Sequence, residues 1–173
     1  MIMPQGLVVE QSILFVACSG SNQIHVLDAQ KLSHLFAFGS SMPDDSGPLL
    51  KKPTDLAIYN TPERKSLLYV VDCGNNRLAV FSTDGDFVKT IGAGPGQAPG
   101  QFYEPLGICI REEKVFVCEG IGARLQVLSP DGMPLLILPA PTGGRLVGCC
   151  WHDQRLYVSE IEAHRLHVFR IID

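Results

Sequence analysis

Acidic residues and arginines recur along this chain as pairs with one constant spacing. In each pair the arginine follows the acid by five residues, and the pairs are Asp72 with Arg77, Glu119 with Arg124, and Glu160 with Arg165. The two members bracket a short turn, so their side chains can meet across a hairpin. A catalytic pair is needed once in a protein, whereas a pair that locks a turn is needed in every repeat. The repetition therefore predicts structural turn pairs, which contribute about 0–1 kcal/mol each where they are exposed.

A second group of reactive side chains is the run Cys149-Cys150-Trp151-His152. Cysteine and histidine this close together could ligate a metal or form a nucleophile with its base. The two cysteines fall on a predicted strand, however, where neighbouring side chains point to opposite faces. We therefore interpret the run as core thiols beside a strand-end tryptophan. The six cysteines include no C-x-x-C pair, which argues against a zinc ribbon and favours buried free thiols over disulfides.

The histidines complete the candidates for chemistry: His25, His34, His152, His164 and His167. His25 and His167 occupy equivalent strand positions that alternate with apolar ones, which predicts a solvated face rather than a metal centre. Neither the histidines nor the acids form an asymmetric catalytic constellation. We therefore expect a protein that has no catalytic residues, metal or cofactor and is not an enzyme.

An internal repeat positions all of these side chains. The repeat aligns without gaps on four valines, which are Val16, Val70, Val117 and Val158, spaced 54, 47 and 41 residues apart. The residue before each valine is aromatic, and the tenth residue after it is again valine. An aromatic and β-branched run, a polar turn and a second apolar run are typical of a β-hairpin. The register therefore predicts the same hairpin in every copy.

Further strands flank each hairpin. One precedes every copy, as in Pro53 to Ile58, and one follows the first three copies, as in Phe87 to Ile91. Asp-Gly pairs at 84–85 and 131–132 supply turns between the hairpin and this last strand. The pattern predicts an all-β fold, a β-propeller of four blades that are four-stranded antiparallel sheets, in a single domain over 1–173. The predicted blades span roughly 4–39, 53–92, 105–138 and 146–171, and the last blade lacks its outer strand.

The repeat resembles the NHL-repeat family of β-propellers. The strongest match is the second copy, which runs from Pro53 through Tyr69-Val70-Val71-Asp72 to Phe81. The connector from Gly96 to Pro105 is similar to the family's link between blades. The resemblance covers nearly the whole chain and implies NHL-type blades. It says much less about activity.

The chain departs from the family pattern in ways that bear on closure of the propeller. Asn76 stands where the family's name motif has histidine, and Cys18 and Gln23 replace the acid and the arginine in the first copy. The fourth copy stops before its last strand. Members of the family commonly have more blades, so three alternatives stay open: a fragment of a larger propeller, a closed ring of four blades, or a homo-oligomer in which a second copy completes the ring.

Binding is expected on the loops, because loops on a rigid scaffold usually carry recognition. The longest loops span 39–52 and 93–104. The candidate binding residues are Asn75, Asn76, Arg77, Phe102, Tyr103, Arg124 and Arg165. For Phe102 and Tyr103, packing between blades is the alternative interpretation.

Charge and composition narrow the function further. A net charge of −4 and the lack of any basic run longer than a pair, such as Lys51-Lys52, disfavour nucleic acid as a partner without excluding it. No signal peptide or membrane span is visible, which predicts a cytoplasmic protein. We expect a non-catalytic protein-interaction scaffold whose loops bind an unidentified protein partner. The resemblance leaves three alternatives: an RNA-binding NHL propeller, the substrate-recognition part of a ubiquitin-ligase assembly, or a metal-dependent propeller lyase or lactone hydrolase.

Overall fold

The computed structural model describes residues 1–39 and 49–170 of the chain. Blade one contains β1 (Pro4–Glu10), β2 (Ile13–Cys18), β3 (Gln23–Asp28) and β4 (His34–Phe38). Blade two contains β5 (Pro53–Asn60), β6 (Ser66–Asp72), β7 (Arg77–Ser82) and β8 (Phe87–Ile91). Blade three contains β9 (Pro105–Arg111), β10 (Lys114–Glu119), β11 (Arg124–Leu128) and β12 (Pro134–Pro139). Blade four contains β13 (Leu146–His152), β14 (Arg155–Glu160) and β15 (Arg165–Arg170).

The predicted fold class is confirmed. Each sheet is antiparallel, its strands follow chain order, and the last sheet has three strands. The described residues contain no helix long and apolar enough to cross a membrane. Most of the loop predicted at 39–52 and the end of the last predicted blade at 171 lie outside the described residues.

The hairpin at the centre of each blade has the register that the repeat predicts. Asp72 is the cross-strand partner of Arg77, and the equivalent acid and arginine are paired in blades three and four. The last residue of every turn has a left-handed backbone, with φ of 55°, 50°, 47° and 50° at Asn22, Asn76, Ala123 and His164. Asparagine tolerates this conformation better than alanine or histidine does. The geometry of the turn therefore requires a left-handed conformation at this position, and all four turns have it although the residue is asparagine in only two.

The hydrophobic core lies between blades rather than inside them. Phe15 and Val26 of blade one pack with Val70 and Phe81 of blade two, and every one of these side chains is buried. The same arrangement recurs between blades two and three and between blades three and four. Side chains on alternate positions of a strand point to opposite faces, so a middle blade contributes to two cores at once. Each blade therefore depends on its neighbours for burial of its apolar faces.

The innermost strands approach closely at glycines. A Cβ atom on Gly6 of β1 would lie 2.3 Å from Asp55 Oδ1 of β5, and one on Gly107 of β9 would lie 2.6 Å from the carbonyl oxygen of Val147 of β13. Blade two has Asp55 at this position instead of glycine. Its Oδ2 accepts the backbone N–H of Ile108 at 3.0 Å, and burial raises the pKa of the carboxyl group. At the glycine positions, the innermost strands of neighbouring blades are thus close enough that a larger side chain would push them apart.

The blades form a series with two different ends. Packing between innermost strands runs from β1 to β5, from β5 to β9 and from β9 to β13. In the part of the chain that the structure describes, one face of blade one and one face of blade four carry exposed apolar side chains, which are Leu7, Val9, Leu166 and Val168. These two faces have no neighbouring blade, unlike every other sheet face in the fold.

Tyr69 provides a test of the packing between blades two and three. Its ring is fully buried, its hydroxyl donates to the carbonyl oxygen of Pro130 at 2.9 Å, and burial raises its pKa to about 12. We expect Tyr69→Phe to lower the free energy of unfolding by about 1 kcal/mol, the net value of one hydrogen bond. The measurement is urea denaturation followed by circular dichroism. The control is Tyr103→Phe at an exposed ring, which should change stability by less than about 0.5 kcal/mol. Equal losses in both variants would contradict the assignment.

Candidate binding rim

One edge of the propeller gathers the hairpin turns and the segments that link successive blades. We call this edge the connector rim; it comprises the turns 19–22, 73–76, 120–123 and 161–164 and the connectors 1–3, 49–52, 93–104 and 140–145. Main-chain hydrogen bonds join each turn to the connector that enters its own blade. The Gly74 N–H donates to the Lys51 carbonyl oxygen at 2.8 Å, and the Gly20 N–H donates to that of Ile2 at 3.1 Å. The rim is therefore built from paired loop segments with fixed relative positions.

A buried carboxylate lies beneath each of three connectors. Asp72, Glu119 and Glu160 are almost completely inaccessible to solvent. The Lys51 N–H donates to Asp72 Oδ1 at 2.6 Å, and the Tyr103 N–H donates to Glu119 Oε2 at 2.7 Å. The sequence-based expectation of exposed ion pairs worth at most about 1 kcal/mol is wrong for these acids, because the connector covers them.

The arginines of blades two and three complete the carboxylate networks. Arg77 Nε lies 2.7 Å from Asp72 Oδ2, and Arg124 Nε lies 2.8 Å from Glu119 Oε1. The Arg124 guanidinium also donates to several carbonyl oxygens of the 93–104 connector, including that of Gln101 at 2.8 Å. Arg124 is buried by these contacts. It is therefore not available to a partner, contrary to the prediction that it is a binding residue.

Blade four uses a different donor. Glu160 was expected to pair with Arg165, but its Oε2 lies 2.5 Å from His167 Nε2, while its Oε1 accepts the Gly144 N–H at 2.8 Å and the Thr142 hydroxyl. Arg165 is exposed. These hydrogen bonds lower the pKa of Glu160, with Thr142 the largest cause and His167 the next. The predictions that Glu160 pairs with Arg165 and that His167 lies on a solvated face are therefore wrong. Thr142 and Gly144 of the connector and His167 of the next strand bind the carboxylate oxygens instead.

The remaining predicted binding residues divide into structural and exposed ones. Phe102 is fully buried in the core between blades two and three, so its alternative interpretation as a packing residue holds. The Asn75 side chain donates to Asp72 Oδ2 at 2.8 Å, and Asn76 Oδ1 accepts the Glu104 N–H at 2.9 Å. Tyr103 has 40% of its surface exposed. Of the predicted set, Tyr103 and Arg165 are the residues most accessible from solution.

A cleft of about 480 Å³ opens in the rim between blades one and two. Its lining combines the first two turns with the connectors 1–3 and 49–52 and includes Gln5, Ser19, Asn22, Lys51 and Lys52. Both lysines are exposed, while the Lys52 N–H donates to Asn22 Oδ1 at 2.8 Å and fixes the backbone beside them. The sequence shows the basic pair but not its neighbours, because Gln5 and Ser19 approach it only when two blades pack together.

The cysteines are distributed between the cores and the surface. Among the residues that the structure describes, no group of three or more histidine, cysteine, aspartate or glutamate side chains is arranged to hold a metal ion. Cys149 packs in the core between blades three and four, whereas Cys150 is exposed, so the two neighbours do point to opposite faces. Hydrogen bonding to Cys149 and burial raise the pKa of Cys109, and burial raises that of Cys73 to about 11. These thiols are therefore protonated at neutral pH and are poor nucleophiles.

The buried carboxylate of blade three can be tested by truncation. We expect Glu119→Ala to lower the free energy of unfolding by about 3–5 kcal/mol, because it leaves the Arg124 charge and the Tyr103 N–H buried without their acceptor. Chemical denaturation measures the change. Glu63→Ala removes an exposed acid and serves as the control, with an expected change below about 0.5 kcal/mol. A loss at Glu119 no larger than that at Glu63 would show that the carboxylate does not hold the connector.

The lowered pKa of Glu160 predicts a pH dependence of stability. Because its pKa is lower in the folded state than in the unfolded state, its stabilising effect is complete above the unfolded value and is lost as the pH falls through the folded value. Wild type should therefore exceed Glu160→Gln in stability at neutral pH, and the difference should shrink in acid. Urea midpoints across this range measure it. Glu63→Gln, at an exposed position, should track the wild type throughout; a constant difference for Glu160→Gln would oppose the assignment.

Comparison with known proteins supports the architecture. No protein-family model matches the chain, and no curated protein matches it. Among solved structures, a computationally designed protein named Ika4 superposes with a TM-score of 0.67 at 11% identity, over 99% of this chain and 92% of that one. A streptogramin B lyase gives 0.67 at 19% identity, over 98% and 55%. A catalytically inactive virginiamycin B lyase from Staphylococcus aureus with quinupristin gives 0.70 at 17% identity, over 98% and 54%. The chain thus spans about half the length of the lyases, and at these identities the likeness establishes a β-propeller fold alone.

Proposed function

We propose that this chain is a non-catalytic interaction module of NHL-type blades, which binds a protein partner at the connector rim. The observation that carries the proposal is the cleft between blades one and two, where Lys51 and Lys52 lie beside hydrogen-bonding side chains on a fixed backbone. A concave site with a few convergent polar groups is the usual form of a binding site. Reduced cysteines throughout the chain are consistent with a cytoplasmic location as part of this proposal.

The charge of the cleft indicates the kind of partner. The chain carries a net charge of −4, yet among the residues that the structure describes the cleft lining contains two lysines and no acidic residue. Complementary charge contributes to specificity and to the rate of association. Gln5 and Ser19 supply polar atoms at the same place and are linked by a 2.9 Å hydrogen bond. We therefore propose that the partner presents an acidic peptide segment to the cleft.

Preorganisation of the rim supports a binding role. Lys51 is held through both of its backbone polar groups, since its N–H donates to Asp72 and its carbonyl oxygen accepts the Gly74 N–H. A loop that is already ordered loses less conformational entropy when it binds.

The environment of the repeated acids supports a non-catalytic role. Asp72, Glu119 and Glu160 are the strongest catalytic candidates by residue type, and all three are covered by connector backbone and bound to it. A general acid or base must come within hydrogen-bonding distance of the substrate. Carboxylates whose oxygens already bind main-chain N–H groups under a connector act instead as structural anchors.

Binding to acidic peptides tests the proposal. We would measure fluorescence anisotropy with labelled peptides rich in aspartate and glutamate, and with matched peptides that carry asparagine and glutamine instead. The acidic set should bind more tightly, and the double variant Lys51→Glu with Lys52→Glu should weaken that binding by roughly 10-fold or more. The double variant Lys31→Glu with Lys65→Glu makes the same change in net charge at exposed lysines outside the cleft and should retain binding.

Three outcomes would count against the proposal. Equal binding of acidic and neutral peptides, or an equal loss of affinity in both double variants, would remove any role for the cleft. The third is an RNA oligonucleotide that binds with a steep salt dependence and displaces the peptides. That result would assign the rim to RNA instead.

A further inference from the structure

Each internal blade has two sheet faces with different partners. We call the face that packs on the preceding blade the leading face, and the face that packs on the following blade the trailing face. In blade two, Leu56, Val70 and Phe81 belong to the leading face and pack on blade one. Leu78 and Val80 belong to the trailing face and pack with blade three. The distinction holds at every blade, because it follows from the alternation of side chains along each strand.

The leading face of blade one has the same chemistry but no neighbour. Leu7 and Val16 occupy the positions of Leu56 and Val70, and Leu27 occupies that of Phe81. Val16 and Leu27 form a small apolar cluster and are only 6% and 5% exposed, whereas Leu7 and Val9 on the innermost strand have 63% and 51% of their surface exposed. The exposed apolar part of this face is therefore its innermost strand, on which no blade packs among the residues that the structure describes.

The trailing face of blade four is its counterpart. Leu166 and Val168 correspond to Leu78 and Val80, which are fully buried in blade two. Here Leu166 is 74% exposed and Val168 is 53% exposed. An apolar patch of this kind on a folded domain usually marks an interaction site. The two ends of the chain thus carry the two halves of the interface that joins all of its blades.

We infer that two copies of this chain associate head to tail, with the trailing face of blade four in one copy packed on the leading face of blade one in the other. The same contact forms at both junctions and closes an eight-bladed ring with two-fold symmetry. The second copy is the occupant that the structure favours because both faces continue an interface already formed three times within the chain.

The innermost strand leaves room for this junction. A Cβ atom on Gly107 would collide with the backbone of β13, whereas one on the equivalent Gly148 of blade four would meet only Ser159 Oγ at 3.4 Å. Position 148 thus has a glycine, as the closely packed position 107 does, although among the described residues no neighbouring strand packs closely against it. In the ring, β1 of the second copy would take that place.

The lengths of similar chains are compatible with the same arrangement. The four blades superpose on about half of the two lyase chains, and on 92% of the designed chain.

Sedimentation velocity and equilibrium on the 173-residue chain test the ring. The wild type should sediment at twice the 18.9 kDa chain mass. Val168→Asp should raise the dissociation constant roughly 100-fold, because each junction would bury a carboxylate without a partner. Val88→Asp is the matched control: Val88 lies on β8, is 47% exposed and belongs to neither terminal face, so the variant should remain a dimer. Circular dichroism checks that both variants fold.

Mixing variants separates head-to-tail pairing from other geometries. Leu7→Asp alters only the leading face and should also be monomeric, whereas Leu135→Asp, at an exposed position on β12, should not be. A mixture of Leu7→Asp and Val168→Asp retains one intact junction and should recover heterodimers. If two trailing faces paired instead, Leu7→Asp would remain dimeric and the inference would fail.

A smaller substitution guards against effects on folding. Gly148→Ala adds one methyl group at a site that is open in the single chain, so its unfolding should stay close to that of the wild type while its dimer weakens. Wild type that sediments as a monomer at micromolar concentrations would overturn the inference. So would a Gly148→Ala variant that dimerises as tightly as the wild type.

Discussion

The structure depends on a carboxylate at the end of the second strand of a blade that binds the backbone of the incoming connector. This contact explains why the acid recurs, why it is buried and why an arginine or another donor stands beside it. A buried carboxylate is unfavourable unless its oxygens are fully hydrogen-bonded. In blades two, three and four the oxygens bind main-chain N–H groups and one or more polar side chains, including Arg77, Arg124 and His167. The position of the rim loops is thereby set by one polar network in each of these three blades.

Much of the fold could be predicted from the sequence, because strand alternation and turn residues are local properties. The hairpin register that pairs Asp72 with Arg77 follows from the spacing of apolar residues around Val70, and the structure has this register. The three strands of the last sheet were predictable because the fourth copy of the pattern has no segment equivalent to Phe87–Ile91. Local patterns of this kind act over a few residues and do not require knowledge of how the blades pack.

The candidate site was less predictable, because it depends on where the connectors pass. The spacing of Glu160 and Arg165 makes them cross-strand neighbours, yet Thr142 and Gly144 approach from a distant segment and bind the carboxylate with His167. Burial of Arg124 also results from the path of the 93–104 connector. The pair Lys51-Lys52 was visible as a charge feature, but nothing in a linear pattern reports that Gln5 and Ser19 lie beside it.

Connector anchoring through the backbone has a consequence for how such a protein can change over evolutionary time. The connectors into blades three and four differ in length and composition, yet each delivers a main-chain N–H, from Tyr103 and from Gly144, to the equivalent acid. A main-chain donor makes no demand on the identity of the side chain that it carries. Insertions and substitutions in these segments can therefore accumulate without disturbing the stacking of the sheets, so that specificity can diverge faster than architecture.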